Sequence, residues 1–333
     1  MRSEVLEKIC SRYEGIAGGD AAAFRSSMRT RTPFSFRVNI LKISAKEVLP
    51  KLEKQGIDVK PIPWCGDAFT SDKPISRTPE HESGEIYAQE LSSLLPALVM
   101  SPELKSSEMV LDACAAPGSK TTQMAAIMQN RGAIVANDSS RGRLNALRAN
   151  LERCGVTNAV MTNYDFRKFL GSKEPPRGLA VGNFGRGGDQ RVLLPAKPKF
   201  DAILLDAPCS GEGVMMENPD ALKHWSESHV KELARQQKEM IVKAYEILAS
   251  GGVLVYSTCT FAPEENEMVV GYLLEKTDAR LEDVSLPDIV LSEGVTEWNK
   301  KTLNPELSKC RRVWPHKNAG MGGFFLAKLR KPG

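Results

Sequence analysis

Short apolar segments alternate with helical ones from residue 108 onward, and this alternation limits the fold more than any other feature of the chain. The apolar segments span residues 108–113, 132–138, 159–163, 200–208 and 251–259. Helical segments follow four of them, at about 119–128, 140–155, 228–248 and 262–277. Strands that alternate with helices predict a parallel, doubly wound α/β sheet, and the nearly continuous apolar character of the strands fits burial on both faces.

The first part of the chain is organised differently. Residues 1–100 combine helical segments, such as 44–56, with an alternating strand at 33–43, so we expect a small N-terminal α+β domain there. Residues 101–333 form the second, larger domain. Residues 171–199 interrupt its pattern with six glycines and four prolines, which is typical of a flexible surface insertion.

The composition of this 333-residue chain is that of a soluble globular protein, with 41% hydrophobic and 26% charged residues. No apolar run approaches the ~18 residues that cross a bilayer, and the N-terminal MRSEVLEKIC lacks the apolar stretch of a signal peptide. We therefore expect a cytoplasmic protein. Seven scattered cysteines without CxxC spacing predict neither a disulfide framework nor a metal site.

Positive charge is concentrated in two segments. Residues 25–60 hold nine Lys/Arg against three Asp/Glu, and residues 300–331 hold nine against one, although the net charge is only +4. Two basic segments around a more acidic middle suit a track for the phosphates of a nucleic acid. The alternative is that many of these charges only solvate the surface.

A tight turn of small residues follows the first apolar segment of the predicted sheet. It consists of Cys114, Ala115, Ala116, Pro117, Gly118, Ser119 and Lys120. Small side chains let a ligand approach the backbone, and the N-terminus of the following helix offers free amides. The turn matches neither GxGxxG nor the P-loop pattern GxxxxGK[ST].

Three carboxylates follow later strands, at the edge where open α/β sheets bind ligands. Asp138 suits a ribose diol, Asp165 the exocyclic amine of adenine, and Asp206 the ammonium of an amino-acid moiety. Each acid taken alone is more typical of an N-cap or a turn. Acids where phosphates would otherwise bind argue against NAD or ATP and favour S-adenosyl-L-methionine, which carries a sulfonium and an ammonium.

Two cysteines also follow predicted strands. Cys209 lies in LLDAPCSGEG (204–213) and Cys259 in VLVYSTCTF (253–261). A thiolate that adds to carbon 6 of a pyrimidine makes carbon 5 reactive toward a methyl donor, so these cysteines beside a cofactor turn predict methylation of carbon 5. The alternative of two inert, buried thiols is disfavoured by their settings, next to Pro and Ser-Gly and between two threonines. The positions alone leave open which of the two is the nucleophile.

The chain resembles the RNA 5-methylcytosine methyltransferases of the NOL1/NOP2/Sun family from about Arg37 to Lys328. The motifs that carry the resemblance are RVN (37–39), GEIYAQELSS (84–93), DACAAPGSKTTQ (112–123), ANDSSRGRL (136–144), DAPCSGEG (206–213), YSTCTFAPEENE (256–267) and GGFFLAKL (322–329). The paired Pro-Cys and Thr-Cys motifs separate this family from DNA cytosine methyltransferases, which use one Pro-Cys cysteine. The resemblance implies a Rossmann-like, S-adenosylmethionine-dependent methyltransferase sheet and a tRNA or rRNA substrate.

The resemblance also implies roles for individual residues. It implies that Cys259 is the nucleophile and that Cys209 helps to resolve the covalent RNA adduct. The implied cofactor contacts are residues 114–120, Asp138, Asp165 and Asp206, with Arg143 as a further one. Lys120 and Asp206 also match positions that the family brings near the target base.

We therefore predict a monomeric RNA (cytosine-5-)-methyltransferase that binds RNA between its N-terminal and catalytic domains. The rival prediction is a non-catalytic RNA-binding or ribosome-assembly factor that retains the fold. Loss of either cysteine or of the glycine turn would favour that rival, and the sequence keeps all three. An adenine amino-group methyltransferase would show an NPPY-like tetrapeptide where DAPC (206–209) stands.

Overall fold

The computed structural model describes residues 2–169, 177–181, 191–193, 197–217, 223, 225–318 and 320–333. Its helices are α1 (Arg2–Ala17), α2 (Ala21–Ser27), α3 (Ala45–Lys54), α4 (Pro79–Glu82), α5 (Leu95–Val99), α6 (Ser101–Leu104), α7 (Ser119–Ile127), α8 (Arg141–Arg153), α9 (Glu227–Ile247) and α10 (Glu267–Lys276). Its strands are β1 (Phe34–Val38), β2 (Val59–Ile62), β3 (Cys65–Ser71), β4 (Ile86–Ala88), β5 (Met109–Asp112), β6 (Ala133–Asn137), β7 (Ala159–Thr162), β8 (Arg177–Val181), β9 (Arg191–Leu193), β10 (Phe200–Asp206), β11 (Leu248–Thr258), β12 (Arg280–Glu282), β13 (Ser292–Glu293), β14 (Glu297–Trp298), β15 (Lys301–Thr302), β16 (Arg311–Val313) and β17 (Phe324–Arg330).

Residues beyond about 100 are built on one large sheet. Within the described residues, its strand order is β13-β16-β17-β11-β10-β5-β6-β7-β8-β9, and β12 pairs with β17. The central strands β11, β10, β5, β6 and β7 are parallel neighbours. The chain adds strands outward from β5 in one direction and from β10 in the other. Such a reversal opens a crevice at the carboxyl ends of the strands, where α/β sheets bind ligands.

The predicted Rossmann-like methyltransferase sheet is confirmed, and its edges add antiparallel strands. β17 runs antiparallel to β11, and β8 runs antiparallel to β7. β8 and β9 lie inside residues 171–199, which the sequence predicted as a flexible surface insertion. Apart from these strands and residues 197–199, that stretch falls outside the described residues.

Neighbouring residues of the central strands face two different cores. Val110 and Ile134 belong to the cluster that packs against α5, α7 and α8. Leu111 and Val135 belong to the cluster that packs against α9 and α10. Burial on both faces explains why these segments are continuously apolar in the sequence. Nowhere in the described part of the chain is a helix both long enough and apolar enough to cross a membrane.

The N-terminal sheet is tied to the large sheet's helices by the RVN motif. β1–β4 form an antiparallel sheet in the order β2-β3-β1-β4. From β1, buried Arg37 donates to Oγ1 of Thr122 on α7 at 2.6 Å. Asn39 donates to the carbonyl oxygen of Cys154, after α8, at 2.8 Å. These two contacts hold the N-terminal sheet against the helices next to the predicted cofactor turn.

Helices α1 and α2 pack against residues from the second half of the chain. They bury Tyr13 and Phe24 in an aromatic cluster with Phe261, Trp298 and Trp314. The rings of Phe261 and Trp314 are stacked with centroids 5.1 Å apart, and Phe24 meets Trp314 edge to face at 5.6 Å. A domain boundary at residue 100 stays a prediction, because these helices share a core with residues beyond it.

Candidate active site

The predicted cofactor turn lies between β5 and α7, at the crevice of the sheet. Gly118 caps the N-terminus of α7 with φ 109°, a left-handed conformation that favours glycine. A Cβ atom at this position would lie 3.0 Å from Cδ1 of Leu147 on α8. The absence of a side chain therefore allows both the turn and the close packing of α7 and α8.

The turn is held by residues that follow the neighbouring strand β6. The amide of Ala115 donates to the carbonyl of Asn137 at 2.7 Å, and the amide of Ala116 donates to Oδ2 of Asp138 at 3.2 Å. Arg143 pairs with the same carboxylate at 3.3 Å and donates to the carbonyl oxygen of Ala116. These two amides precede α7, and the free amides expected at the N-terminus of that helix stay a prediction. Contact of Asp138 with a ribose stays a prediction, and in this structure Asp138 fixes the turn.

Asp165 has a local role in the structure. It caps a short 3₁₀-helix by accepting from the amide of Arg167 at 3.1 Å, and it pairs with the Arg167 guanidinium at 2.7 Å. The hydrogen bonds from Arg167 lower the pKa of Asp165. Within the described residues Asp165 does not hydrogen-bond the other predicted site residues, and its contact with adenine stays a prediction.

A partly buried ion pair connects the turn with β10. Nζ of Lys120 lies 2.8 Å from Oδ2 of Asp206 and donates to Oγ of Ser93 at 2.8 Å. Burial opposes the charge of Lys120, but the Asp206 carboxylate outweighs burial and raises the lysine pKa. Ser257 on β11 donates to the other oxygen of Asp206 at 2.7 Å. Lys120 and Asp206, both predicted near the target base, are therefore in direct contact.

Asp112, at the end of β5, is a buried carboxylate that the sequence analysis did not single out. Burial raises its pKa to about 7, although Thr121 donates to its Oδ2 at 2.6 Å. Its Oδ1 is buried without a hydrogen-bond partner among the described residues. Burial, together with Asp112 and Asp206, raises the pKa of the nearby Cys114 thiol well above its usual range. Cys114 therefore stays a thiol at neutral pH.

The two predicted catalytic cysteines come together at the ends of the neighbouring strands β10 and β11. Their sulfur atoms lie 3.3 Å apart, and all seven cysteines of the chain are free. Cys259 lines a pocket of about 280 Å³ with Lys120, Asp206 and Phe324. Cys259, the predicted nucleophile, thus lines the same pocket as Lys120 and Asp206, which were predicted near the base.

Cys209 differs from Cys259 in its electrostatic surroundings. Its hydrogen bond with Cys259, its burial and the nearby carboxylates of Glu265 and Asp206 raise the pKa of Cys209 well above its usual range. Cys209 therefore keeps its proton at neutral pH. A protonated thiol at 3.3 Å can donate a hydrogen bond to the sulfur of Cys259.

Comparison with known proteins agrees with this geometry. Residues 98–330 match the family model described as 16S rRNA methyltransferase RsmB/F, and residues 7–91 match the N-terminal domain of 16S rRNA methyltransferase RsmF. The chain belongs to the RsmB/F family. The membership in the NOL1/NOP2/Sun family that the motifs predicted is thereby confirmed.

Individual relatives of this RsmB/F family member support the same conclusion. The chain is 40% identical over 304 residues to ribosomal RNA small subunit methyltransferase F of Vibrio campbellii, an alignment that covers 89% of this chain and 56% of the relative. It is 33% identical to a methyltransferase homolog protein of Pyrococcus horikoshii, with a TM-score of 0.78, and the match covers 96% of this chain and 93% of that one. NSun6 from the same organism, solved with SFG, has the same fold at 24% identity, with a TM-score of 0.76 and coverage of 98% of each chain. The chain spans little more than half the length of the Vibrio relative.

The cysteine motifs of this RsmB/F family member are joined by a buried polar network that the sequence analysis missed. Oε2 of Glu265 accepts from the amide of Ser210 at 3.1 Å and from Nε2 of Gln237 at 2.8 Å, and the Ser210 hydroxyl donates to Oε1. Gln237, on α9, also donates to the carbonyl of Pro208 at 2.8 Å. Glu265 is fully buried, and burial together with Glu212 raises its pKa to about 8.

Glu212 extends the network to the N-terminal helix. Its carboxylate accepts from the amide of Phe261 at 2.9 Å, from the hydroxyl of Tyr13 at 2.9 Å and from the indole of Trp225 at 2.6 Å. Thr260 donates to Glu212, and its hydroxyl oxygen lies 2.8 Å from that of Ser210. The glutamates within DAPCSGEG and YSTCTFAPEENE could have indicated this network, because charged residues inside otherwise apolar, small-residue motifs need buried partners.

Proposed function

We propose that this chain methylates carbon 5 of a cytosine in RNA with S-adenosyl-L-methionine as the methyl donor. The observation that carries the proposal is the pair of cysteines at the ends of β10 and β11, with sulfur atoms 3.3 Å apart beside the pocket of Lys120 and Asp206. The names of the Vibrio relative and of both family models favour small-subunit rRNA over tRNA as the substrate.

The residues around the crevice fit S-adenosylmethionine better than a phosphate-bearing cofactor. The polar side chains at the crevice include several carboxylates, which accept hydrogen bonds. The unpartnered, buried Oδ1 of Asp112 beside the turn offers a further acceptor. When bound, the cofactor supplies a methyl group on a sulfonium, which an electron-rich carbon can accept. The residues proposed to hold it are Cys114, Ala115, Ala116, Pro117, Gly118, Ser119, Lys120, Asp138, Arg143, Asp165 and Asp206.

The cysteines carry the covalent chemistry. The sulfur of Cys259, as a thiolate, forms a bond to carbon 6 of the cytosine and moves an electron pair toward carbon 5. Cys209 keeps its proton and donates a hydrogen bond toward that sulfur. After carbon 5 has been methylated, it loses its proton to a base and the electron pair expels the sulfur of Cys259. Cys209 assists this last step.

Lys120 and Asp206 orient the base in the proposed reaction. Both line the pocket of Cys259, and they form an ion pair there. A carboxylate can accept from the exocyclic amine of cytosine, and an ammonium can donate to its carbonyl oxygen. The base has to leave its stack to reach the pocket, because a sulfur adds to carbon 6 from the face of the ring. The domain of residues 1–100 is proposed to bind the surrounding RNA.

The decisive experiment uses labelled S-adenosylmethionine and unmodified small-subunit rRNA, followed by digestion to nucleosides. We expect labelled 5-methylcytidine from the unchanged chain and from Cys154→Ala, a control that alters a buried thiol away from the pocket. We expect none from Cys259→Ala. Full activity of Cys259→Ala would refute the assignment of the nucleophile.

A second variant tests the role of Cys209. Cys209→Ala is expected to accumulate an RNA–protein adduct that survives denaturing electrophoresis, and Cys209→Ala/Cys259→Ala is expected to form none. Normal turnover of Cys209→Ala without an adduct would contradict its role in release. Binding of RNA and S-adenosylmethionine without methylation of any RNA would instead favour the rival, a non-catalytic assembly factor.

A further inference from the structure

Three concavities adjoin one another across the junction of the N-terminal segment and the catalytic part. The pocket of Cys259 shares Ala88, Gln89 and Glu90 with a larger pocket of about 550 Å³, here called the middle pocket. The middle pocket shares Arg31, Thr32 and Met216 with a third concavity of about 340 Å³ beside His316. The three therefore form one continuous track that starts at the cysteine.

The middle pocket exposes an aromatic ring. Phe34, the first residue of β1, is 45% exposed, whereas most large apolar side chains of the described residues are buried. Exposure of a phenyl ring to water is unfavourable unless a ligand covers it, and a nucleobase is a suitable cover because every base has a π face. No other role in packing is evident for this ring, since the core of the N-terminal sheet is formed by Phe36, Phe69 and their neighbours.

The charges of the middle pocket separate a place for a base from a place for a phosphate. Glu90 is part of the wall, because its oxygens accept from the amides of Gly322 at 2.8 Å and Ser93 at 3.1 Å. Glu217 accepts from the hydroxyl of Thr32 at 2.6 Å. Acids inside the pocket disfavour a phosphate and can accept from base amines. Arg31 is an exposed cation without a partner among the described residues, at the boundary with the third concavity.

We propose that the middle pocket binds the nucleotide next to the target cytosine, with its base stacked on Phe34 and its phosphate paired with Arg31. The inference rests on the proposed function, because the target base is taken to occupy the pocket of Cys259. It adds a subsite that requires single-stranded RNA on at least one side of the target and that can influence which sequences are modified.

The test measures RNA binding and needs no methyl transfer. The probe is a fluorescein-labelled RNA decamer of adenosines with one central cytidine. Two further probes replace the 5′ or the 3′ neighbour of the cytidine by an abasic residue. We expect Phe34→Ala to weaken binding of the intact decamer about tenfold, at the lower end of what base–aromatic stacking supplies. With one of the two abasic probes the effect of Phe34→Ala should disappear, because the stacked base is already missing.

Two matched controls separate the subsite from general effects on the surface. Ile40→Ala removes an apolar side chain that is equally exposed, at 46%, and that lines none of the three concavities. Arg77→Ala removes an exposed arginine outside the track. Both controls should bind all three probes within about twofold of the unchanged chain. The logarithm of the association constant K falls linearly with the logarithm of the salt concentration. Arg31→Ala should make this fall less steep by about 0.7, the value for one phosphate of a single strand.

Two results would overturn the inference. One is a Phe34→Ala variant that binds the intact decamer as tightly as Ile40→Ala does. The other is a loss of affinity in Phe34→Ala that is the same for all three probes. If the Phe34 effect depends on the neighbouring base but no RNA is methylated, the subsite stands and the proposed function fails. If RNA is methylated and Phe34→Ala binds normally, the proposed function stands and the subsite fails.

Discussion

Replacement of Glu265 by glutamine should change how the stability of this chain depends on pH. Glu265 is fully buried, and burial with the nearby Glu212 raises its pKa from the usual 4.5 to about 8. Between these two values the carboxyl group is protonated in the folded chain and ionised in the unfolded chain. Its contribution to the free energy of unfolding is therefore complete below pH 4.5 and is lost as the pH rises toward 8. Glu265→Gln has no such group and should lack this loss.

The size of the effect follows from the two pKa values. While only the unfolded chain is ionised, each pH unit removes about 1.4 kcal/mol from the free energy of unfolding. Between pH 5 and pH 7 the unchanged chain should lose about 2.5 kcal/mol through Glu265. Glutamine has nearly the same shape and can still accept from the amide of Ser210. The difference in stability between Glu265→Gln and the unchanged chain should therefore shift by that amount in favour of the variant.

The assay is urea unfolding of both proteins at pH 5, 6 and 7. Gln237→Met is the control, because it removes the hydrogen bond from Gln237 to Glu265 but no ionisable group. Its free energy of unfolding should lie about 1 kcal/mol below that of the unchanged chain and follow the same pH dependence. If Glu265→Gln and the unchanged chain gave parallel curves, Glu265 could not be protonated in the folded state, and the explanation of the buried network would fail.

Two further pairs of variants test the packing around the site by urea unfolding. Gly118→Ala should lower the free energy of unfolding by about 1–2 kcal/mol, because φ 109° disfavours a side chain and its Cβ would lie 3.0 Å from Leu147. Gly142→Ala is the matched control in α8, where no atom lies within 4 Å of the added Cβ. It should raise the free energy of unfolding by about 0.5–1 kcal/mol. Equal effects of the two substitutions would contradict the role of the left-handed turn. Arg312→Met should cost about 3–5 kcal/mol, because it leaves the fully buried Glu267 without the guanidinium 2.5 Å away. Addition of Glu267→Gln to that variant should recover part of the loss, and a further loss would show that the charge of Glu267 has another partner.

The central fold could be predicted because its strands are buried on both faces. The apolar segment 200–208 became β10, Phe200–Asp206, and the segment 251–259 became β11, Leu248–Thr258. The strand predicted at 33–43 is shorter, because the Asn39 side chain binds the carbonyls of Gly84 and Cys154 and the chain turns after Val38. The antiparallel edge strands such as β12 and β13 were missed, since two or three residues carry no usable periodicity.

Part of the candidate site could be predicted from position alone. Because Cys209 and Cys259 each follow a strand, and the two strands became neighbours, their sulfurs meet. The partners of the predicted acids could not be predicted. Asp138 binds the turn that it was expected to complement, and Asp165 pairs with Arg167, two residues away. The Glu265 network depends on Gln237 from a different helix, and no local pattern reports such a distant contact.

The aromatic cluster of α1 and α2 has a consequence for how this chain is made. Tyr13 and Phe24 are synthesised well before Phe261 and Trp314, which cover them in the folded chain. At ordinary rates of translation the interval is roughly 10 to 60 seconds. During that time the apolar faces of α1 and α2 are exposed to solvent, and we expect a nascent chain with such exposed faces to bind a chaperone.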